Sequence, residues 1–407
     1  MGIVFHIDAN SAYLSWTAVE MLRQGGSEDI RLIHSAIAGD PKTRRGIILA
    51  KSEGAKACGV RTGETIQEAR RKCPDLALFP PDHGMYARYS DAMYEVLLRY
   101  SPIIERFSID ECFLDYTASE ALFGPPMEVA YRLKDEIKNE LGFTVNIGVS
   151  VNKILAKMGS ELEKPDRVHS LFPNEIGEKL WPLPIGDLFS VGGSARGKLE
   201  SAGIRTIGDA ARVGRPLLVS LLGKAHGGVV CDYANGIDSS PVVPEGGRER
   251  KGIGNSTTTA QNVTTLDEAD RVLLWLSDKV GTRLRKHGRY GKVISVSMRP
   301  ADFSKRAYGH QRRLDIPICS TDAIYAESKA LFREAWKGEP VRNMGIYFSE
   351  ISDSKEGQLS LFGSGAANPA DTCLGAGAGD SAESEALDKA VDSIRARFGE
   401  DAVTRGR

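Results

Sequence analysis

Two neighbouring acids, Asp110 and Glu111, interrupt an apolar stretch, with Phe107-Ser108-Ile109 before them and Cys112-Phe113-Leu114 after. Short apolar segments of this kind read as strands, and a regular strand sends successive side chains to opposite faces. The pair can therefore serve one site only where the backbone breaks, at a bulge or a hairpin tip. A third acid, Asp8, follows another strand-like segment, Ile3-Val4-Phe5-His6-Ile7, far upstream. It has to reach the same place from a neighbouring strand. Taken singly, an Asp after a strand is often a turn residue or a helix N-cap. Brought together, the three suit a two-metal centre, in which ions roughly 3.5 to 4 Å apart activate an attacking oxygen and neutralise a leaving phosphate. Hard divalent cations such as Mg2+ take the oxygen ligands that carboxylates supply.

A chain of 407 residues with 41% hydrophobic content has room for two to four domains and several cores. It contains no apolar run long enough to cross a membrane. A strand begins within three residues of the amino terminus, with no charged and apolar leader, so a cytoplasmic location is expected. Cys58, Cys73, Cys112, Cys231, Cys319 and Cys373 are scattered with no Cys-x-x-Cys pair. They read as reduced thiols, suggesting neither a zinc site nor a disulfide framework.

The formal net charge of -1 conceals a local excess: from 248 to 313 there are fifteen Lys and Arg against six Asp and Glu. Charge runs are commonly just solvated faces. Here the run falls in an alternating segment, Lys292-Val293-Ile294-Ser295-Val296-Ser297-Met298-Arg299, so one sheet face could meet phosphates, with Arg283, Arg285, Lys286 and Arg312 as candidate contacts.

Breaks and periods give a coarse map. Asn10 or Ser11 caps a helix from Tyr13 to about Leu22, and residues 31–80 hold two short strands and a helix from Glu64 to Lys72. Helices over 86–100 and 127–141 flank the carboxylate hairpin, and a strand from Phe143 to Ser150 leads into a helix from Lys153 to Leu162. Between 166 and 238 the text is helical and glycine-punctuated. Residues 239–250 read as a linker. From 251 the order is strand, helix, strand, strand, helix, strand, ending near Ile351, which makes a small α+β domain. The span 363–380 is rich in Gly, Ala and Ser and reads as disordered, before a terminal helix over Glu383 to Phe398.

Several of these segments resemble the Y-family translesion DNA polymerases, in their bacterial branch. The resemblance rests on His6-Ile7-Asp8-Ala9-Asn10-Ser11-Ala12-Tyr13 and on Phe107 through Asp115. It continues in Asn146-Ile147-Gly148-Val149-Ser150-Val151-Asn152-Lys153, in Glu163-Lys164-Pro165 and in Gly252-Ile253-Gly254-Asn255-Ser256. Leu188 to Leu199 with Ala202-Gly203-Ile204 resembles a helix-hairpin-helix, whose Gly192 and Gly193 would turn backbone N–H groups toward a DNA phosphate. The motifs run in family order over residues 1–362.

The resemblance implies an α+β multidomain right hand. Its palm, a mixed sheet with helices, takes residues 1–24 and 81–165, and small fingers take 25–80. A helix-hairpin-helix thumb takes 166–238, an α+β little finger 251–352, and a tail 353–407. It implies a template-directed, error-prone DNA polymerase that uses two Mg2+ ions, primer-template DNA and deoxynucleoside triphosphates, and that works as a monomer. Asp8, Ala9 (through its carbonyl), Asp110 and Glu111 would hold the metals. Tyr13 would bar a 2′-hydroxyl, and Lys56 and Lys164 would contact the triphosphate, Lys56 where many relatives carry Arg. The family's first motif often has a second acid where this chain has Asn10. In the tail, Gln358-Leu359-Ser360-Leu361-Phe362 resembles a peptide that docks on the sliding clamp, with Gln358, Leu359, Leu361 and Phe362 as contacts. Two other readings are a non-catalytic DNA-binding and clamp-recruiting scaffold, which loss of a carboxylate would favour, and a palm-fold nucleotidyl cyclase, which would lack the helix-hairpin-helix and the basic domain.

Overall fold

The computed structural model describes residues 2–40, 46–244, 247, 251–354, 382–399 and 402–405. The chain forms two compact units: Met1–Gly39 with Gly46–Arg248, and Asp40–Arg45 with Glu249–Arg407.

The first unit begins with β1 (Val4–Ala9) and α1 (Ala12–Arg23). Ser11 precedes α1 in a left-handed conformation (φ 46°) and makes no side-chain cap. Asn10 does not cap α1 either, because its amide is tied to Asn146, Thr144 and Asp166. The next segment folds as β2 (Ser35–Ala38), β3 (Ile48–Lys51), α2 (Glu53–Ala57), α3 (Ile66–Lys72) and β4 (Ala77–Phe79). It has three strands rather than the two expected, in the order β3-β2-β4. Thr65 and Glu68 form a capping box that starts α3. There follow α4 (His83–Leu98), β5 (Ile104–Arg106), β6 (Glu111–Asp115), α5 (Glu120–Phe123), α6 (Pro126–Leu141), β7 (Val145–Ser150), α7 (Lys153–Glu161) and β8 (Val168–Ser170). Asn152 caps α7 by accepting from Leu155 N–H at 3.0 Å.

A five-stranded sheet runs β5-β6-β1-β7-β8, with β1 antiparallel to both neighbours. Its last strand lies beyond residue 165, so the sheet extends into the segment read from sequence as the start of the thumb. Alternation along β1 sorts the two faces. Phe5, Ile7 and Ala9 enter the core with α1, α4 and α6, which includes Trp16, Tyr86, Met93, Leu133 and Ile137. Val4, His6 and Asp8 turn to the other face. There the buried His6 Nδ1 lies 2.7 Å from Ser160 Oγ of α7.

That helix sits unusually close to the sheet. A Cβ added to Gly148 of β7 would lie 1.9 Å from the Ala156 carbonyl oxygen and 2.5 Å from Ser160 N. Only glycine fits there. After the sheet, α8 (Gly193–Ser201), α9 (Ile207–Val213), α10 (Arg215–Leu222) and α11 (Lys224–Ala234) enclose a core of Leu199, Ile207, Leu218 and Val230.

The second unit contains β9 (Ile253–Val263), α12 (Leu266–Lys286), β10 (Tyr290–Pro300), β11 (Tyr308–Ile318), α13 (Thr321–Ala335), β12 (Val341–Phe348), β13 (Ile351–Ser352) and α14 (Ala382–Phe398). The sheet order is β11-β10-β12-β9, all antiparallel. Leu273, Leu276, Val280, Ile324 and Phe332 of α12 and α13 cover one face, packing on Ile294, Val296, Met298 and Ile346. The expected alternation of strands and helices is present, with the last strand broken after Phe348. The terminal helix is also present, and it packs back through ion pairs. Arg285 of α12 meets Asp388 at 2.9 Å and Asp392 at 2.7 Å, and Arg395 meets Asp278 at 2.8 Å. The sequence expectations over 363–380 and at Gln358, Leu359, Leu361 and Phe362 lie outside the described residues.

Replacing Gly148 by Ala forces β7 and α7 apart, and overpacking of this kind costs about 1 to 3 kcal/mol. A markedly lower urea midpoint for Gly148→Ala is the expected result; an unchanged midpoint would refute the close approach.

Candidate active site

Two of the three expected carboxylates, Asp8 and Glu111, meet on one sheet face, and Asp110 is next to Glu111 in sequence but outside that group. Asp8 and Glu111 are directly opposite one another in the β1–β6 ladder, and Asp110 lies in the tight connection from β5 to β6. The connection closes on itself: the N–H groups of Phe107 and Ser108 both donate to the Glu111 carbonyl, at 2.9 and 3.2 Å. Ala9 N–H donates to the Asp110 carbonyl at 3.0 Å, which fixes the tip against the end of β1. Asp110 is off the pleat while Glu111 is on it, and the Asp110 carboxylate accepts from Ser108 Oγ at 2.5 Å.

The face that carries Asp8 and Glu111 also receives α7. A carboxylate oxygen from each of Asp8, Glu111 and Glu161 lies within 4.8 Å of the others. Glu161, at the end of α7, escaped sequence reading because nothing in its neighbourhood marks a ligand; only the helix packing brings it in. Asp110 joins Asp8 in lining an adjacent cavity of about 390 Å³. Lysines from α7 and the following turn balance the charge. Lys157 Nζ is 2.7 Å from Glu111, and Lys164 Nζ is 2.7 Å from Asp8 and 2.9 Å from Glu161.

Burial pushes the Asp8 carboxyl up to about 7, against the pull of Lys164. Burial works against the charge on Lys164 too, but Asp8 and Glu161 hold its ammonium above the ordinary lysine value. A buried carboxylate that resists ionisation despite a neighbouring lysine, set among other carboxylate oxygens, fits a hard divalent cation. Asn10 is not part of this donor set, since its amide is consumed in tying β1 to β7 and to the Asp166 backbone.

Tyr13 lines the same cavity. Its ring stacks on Tyr86 at 4.3 Å with an interplanar angle of 7°, and meets His83 edge-on at 6.0 Å. It is therefore both packed and presented. Burial, then Asp110 nearby, raise its phenol above the usual value. Lys51 and Thr62 also line the cavity. Lys56 does not: it is 57% exposed and pairs with Glu53 at 3.3 Å. Sequence reading missed Lys51 because β3 ends at it and its side-chain direction depends on strand register.

Gly192 caps α8 and Gly193 opens it, and a Cβ at either would meet nothing within 4 Å. Of the basic residues in the second unit, Arg283 and Lys286 are exposed. Arg285 is corrected by the structure: its side chain is only 9% exposed, enclosed by Asp388 and Asp392. Arg312 is opposite Ile294, on the helix-covered side, and pairs with Glu327 at 2.9 Å and with Glu334. Both guanidiniums are engaged in holding helices.

Two family models match the chain. The impB/mucB/samB family model covers residues 7–161, and the model of that family's C-terminal domain covers residues 250–361. The chain belongs to the impB/mucB/samB family. Its relatives include DNA polymerase IV of Clostridium acetobutylicum, 42% identical over 99% of this chain and 97% of that protein, and DNA polymerase IV 2 of Bacillus subtilis, 33% identical over 99% and 93%. A solved Y-family DNA polymerase chimera superposes with a TM-score of 0.74 at 24% identity, covering 86% of this chain and all of that one. The fold is that of a Y-family polymerase.

A cation at Asp8 would have to displace a proton. Because its carboxyl is raised from 3.8 to about 7, its protonated form adds stability at low pH that is lost as pH rises through 7, and a bound cation would restore it. Mn2+ affinity, followed by electron spin resonance, is expected to rise with pH up to and through 7 and then level off. Affinity that is flat across neutral pH would contradict the assignment.

Proposed function

We propose that this DNA-directed DNA polymerase extends a primer 3′ end along a template, damaged template included, by two-metal phosphoryl transfer. The observation that carries the reading is the group of Asp8, Glu111 and Glu161 beside a cavity that Asp110 and Tyr13 share. Asp8, Asp110, Glu111 and the Ala9 carbonyl would hold two Mg2+ ions, with Glu161 a further ligand candidate. Such ions, when bound, activate the primer hydroxyl and neutralise the triphosphate.

The residues of the chain supply position and charge. Lys157 and Lys164 keep the carboxylates ordered, and Lys164, at the cavity wall, is placed to meet triphosphate oxygens as a point charge. Lys51 is a second such cation on the same wall. Lys56 would first have to leave Glu53. The Tyr13 ring, held by Tyr86, would collide with a 2′-hydroxyl and so select deoxynucleotides. Fingers built from one short three-stranded sheet and two short helices offer few contacts to test base-pair shape, which supports tolerant, error-prone synthesis.

DNA would be gripped by the open sheet face of the second unit and by the α8 start in the first. Register places Ser256, Thr258, Ser295, Ser297, Asn343 and Gly345 on that face, away from the helices. Hydroxyls, amides and small residues allow a phosphate backbone to approach closely. Recruitment to a sliding clamp through Gln358, Leu359, Leu361 and Phe362 completes the proposal, supported by their sequence alone.

Asp110→Ala or Glu111→Ala should abolish primer extension while leaving primer-template affinity nearly intact, because that affinity comes mainly from phosphate contacts elsewhere. Extension at near wild-type rate by either variant would sink the two-metal reading. Tyr13→Ala is expected to admit ribonucleotides with a modest loss of deoxynucleotide use, read from the ratio of kcat/KM for the two sugars. An unchanged ratio would make Tyr13 a packing residue only.

A further inference from the structure

The small sheet β3-β2-β4 gathers side chains that the sequence scatters. His34 immediately precedes β2, Cys58 follows α2, Cys73 follows α3, and Asp75 lies two residues before β4. Strands β2 and β4 pair in parallel with Ser35 beside Ala77, and Ala77 N–H donates to the His34 carbonyl at 2.9 Å. This pairing draws the ends of two helices and the starts of two strands to one point.

Ligand atoms of His34, Cys58 and Cys73 all lie within 4.8 Å of one another, and His34 Nε2 is 3.9 Å from Cys58 Sγ. A tetrahedral Zn2+, with bonds of about 2.0 to 2.1 Å to nitrogen and 2.3 Å to sulfur, holds its ligands about 3.5 to 3.8 Å apart. Side-chain adjustments of about an ångström close the site. The other imidazole nitrogen, Nδ1, is 2.8 Å from Asp75 Oδ2. A carboxylate on the far nitrogen is the arrangement that fixes the tautomer and orientation of a metal-binding histidine. Space for the ring is made by Gly54, where an added Cβ would lie 2.7 Å from His34 Cδ2. Cys73 is buried, while Cys58 is partly exposed and the His34 side chain is 38% exposed, so solvent reaches the site from one side.

We propose that His34 Nε2, Cys58 Sγ and Cys73 Sγ bind a soft divalent cation of the Zn2+ class, with Asp75 as the positioning residue and water in the fourth place. Two thiolates and an imidazole select zinc over magnesium, so this site and the carboxylate group would not compete for one ion. Binding releases the two thiol protons as the two metal–sulfur bonds form, with no oxidation or reduction. The segment that it closes, between Cys58 and Cys73, carries Thr62 into the nucleotide-sized cavity. That segment is tied to β3 by Gly63 N–H on the Ile48 carbonyl at 2.8 Å and Ile48 N–H on the Glu64 carbonyl at 2.9 Å. The metal would therefore staple a small core, Ala36, Ile48, Val60, Ile66 and Cys73 among it, beneath one wall of that cavity.

The test is cobalt substitution in the full chain, purified under reducing conditions and stripped with a chelator. Co2+ is expected to produce a thiolate-to-cobalt charge-transfer band at one ion per chain, bleached by added Zn2+. Cys58→Ser should remove most of the band, Asp75→Asn should weaken affinity by roughly tenfold or more, and Cys231→Ser should change neither. Cys58 is not buried, so its variant stays informative should Cys73→Ser fail to fold. No thiolate band in folded protein, or a band that survives both Cys58→Ser and His34→Ala, overturns the proposal. So does freshly purified protein that holds no metal and carries a Cys58–Cys73 disulfide by mass.

Discussion

The site depends on how near α7 can lie to the central sheet. At Gly148 the backbone of β7 passes so close to Ala156 and Ser160 that even a methyl group would clash. Because α7 is that near, Ser160 reaches His6, Lys157 reaches Glu111, and Glu161 reaches Asp8. A helix a few ångströms further out would leave the same side chains in solvent. The carboxylates and their counter-charges thus come from different elements, and one glycine sets the distance between them.

That proximity has an electrostatic consequence. Three lysines, Lys153, Lys157 and Lys164, are turned toward Glu105, Glu111 and Asp8 at 2.7 Å each. They compensate buried acids that would otherwise carry the full cost of desolvation. The compensation is uneven. The Lys153–Glu105 pair is buried on both sides and anchors α7, whereas Asp8 still sits well above its ordinary value. The fold therefore holds its acids in place with lysines but leaves Asp8 favouring a further positive charge, which is the condition a metal centre needs.

How much of this could be read from the chain divides along a physical line. The positions of Asp8, Asp110, Glu111 and Tyr13 were legible because each is fixed by local geometry: a strand end, a hairpin tip, the first turn of α1. The placement of Asp8 opposite Glu111 follows from pairing β1 with β6. Glu161 and Lys51 were not legible, because what brings them to the site is the packing of α7 and the register of β3, and neither leaves a mark in neighbouring residues. The thiols behave likewise. Cys58 and Cys73 are fifteen positions apart with His34 well upstream, and only the parallel pairing of β2 with β4 collects them.

Charge is the clearest case of a sequence property that does not transfer to a surface. The basic excess between 248 and 313 suggested a phosphate-binding face, and Arg285 and Arg312 were drawn from it. Guanidinium groups are also the best partners for carboxylates on neighbouring helices, since their planar donors can serve several oxygens at once. Arg285 does this for Asp388 and Asp392, and Arg312 for Glu327 and Glu334. The acids that claim them lie outside the counted window, on α13 and α14, so a local tally could not see them. What remains on the open sheet face is mostly hydroxyl, amide and glycine. Such side chains leave room and offer donors, and Arg299 and Arg313, which the register sets on the same face, add charge to it.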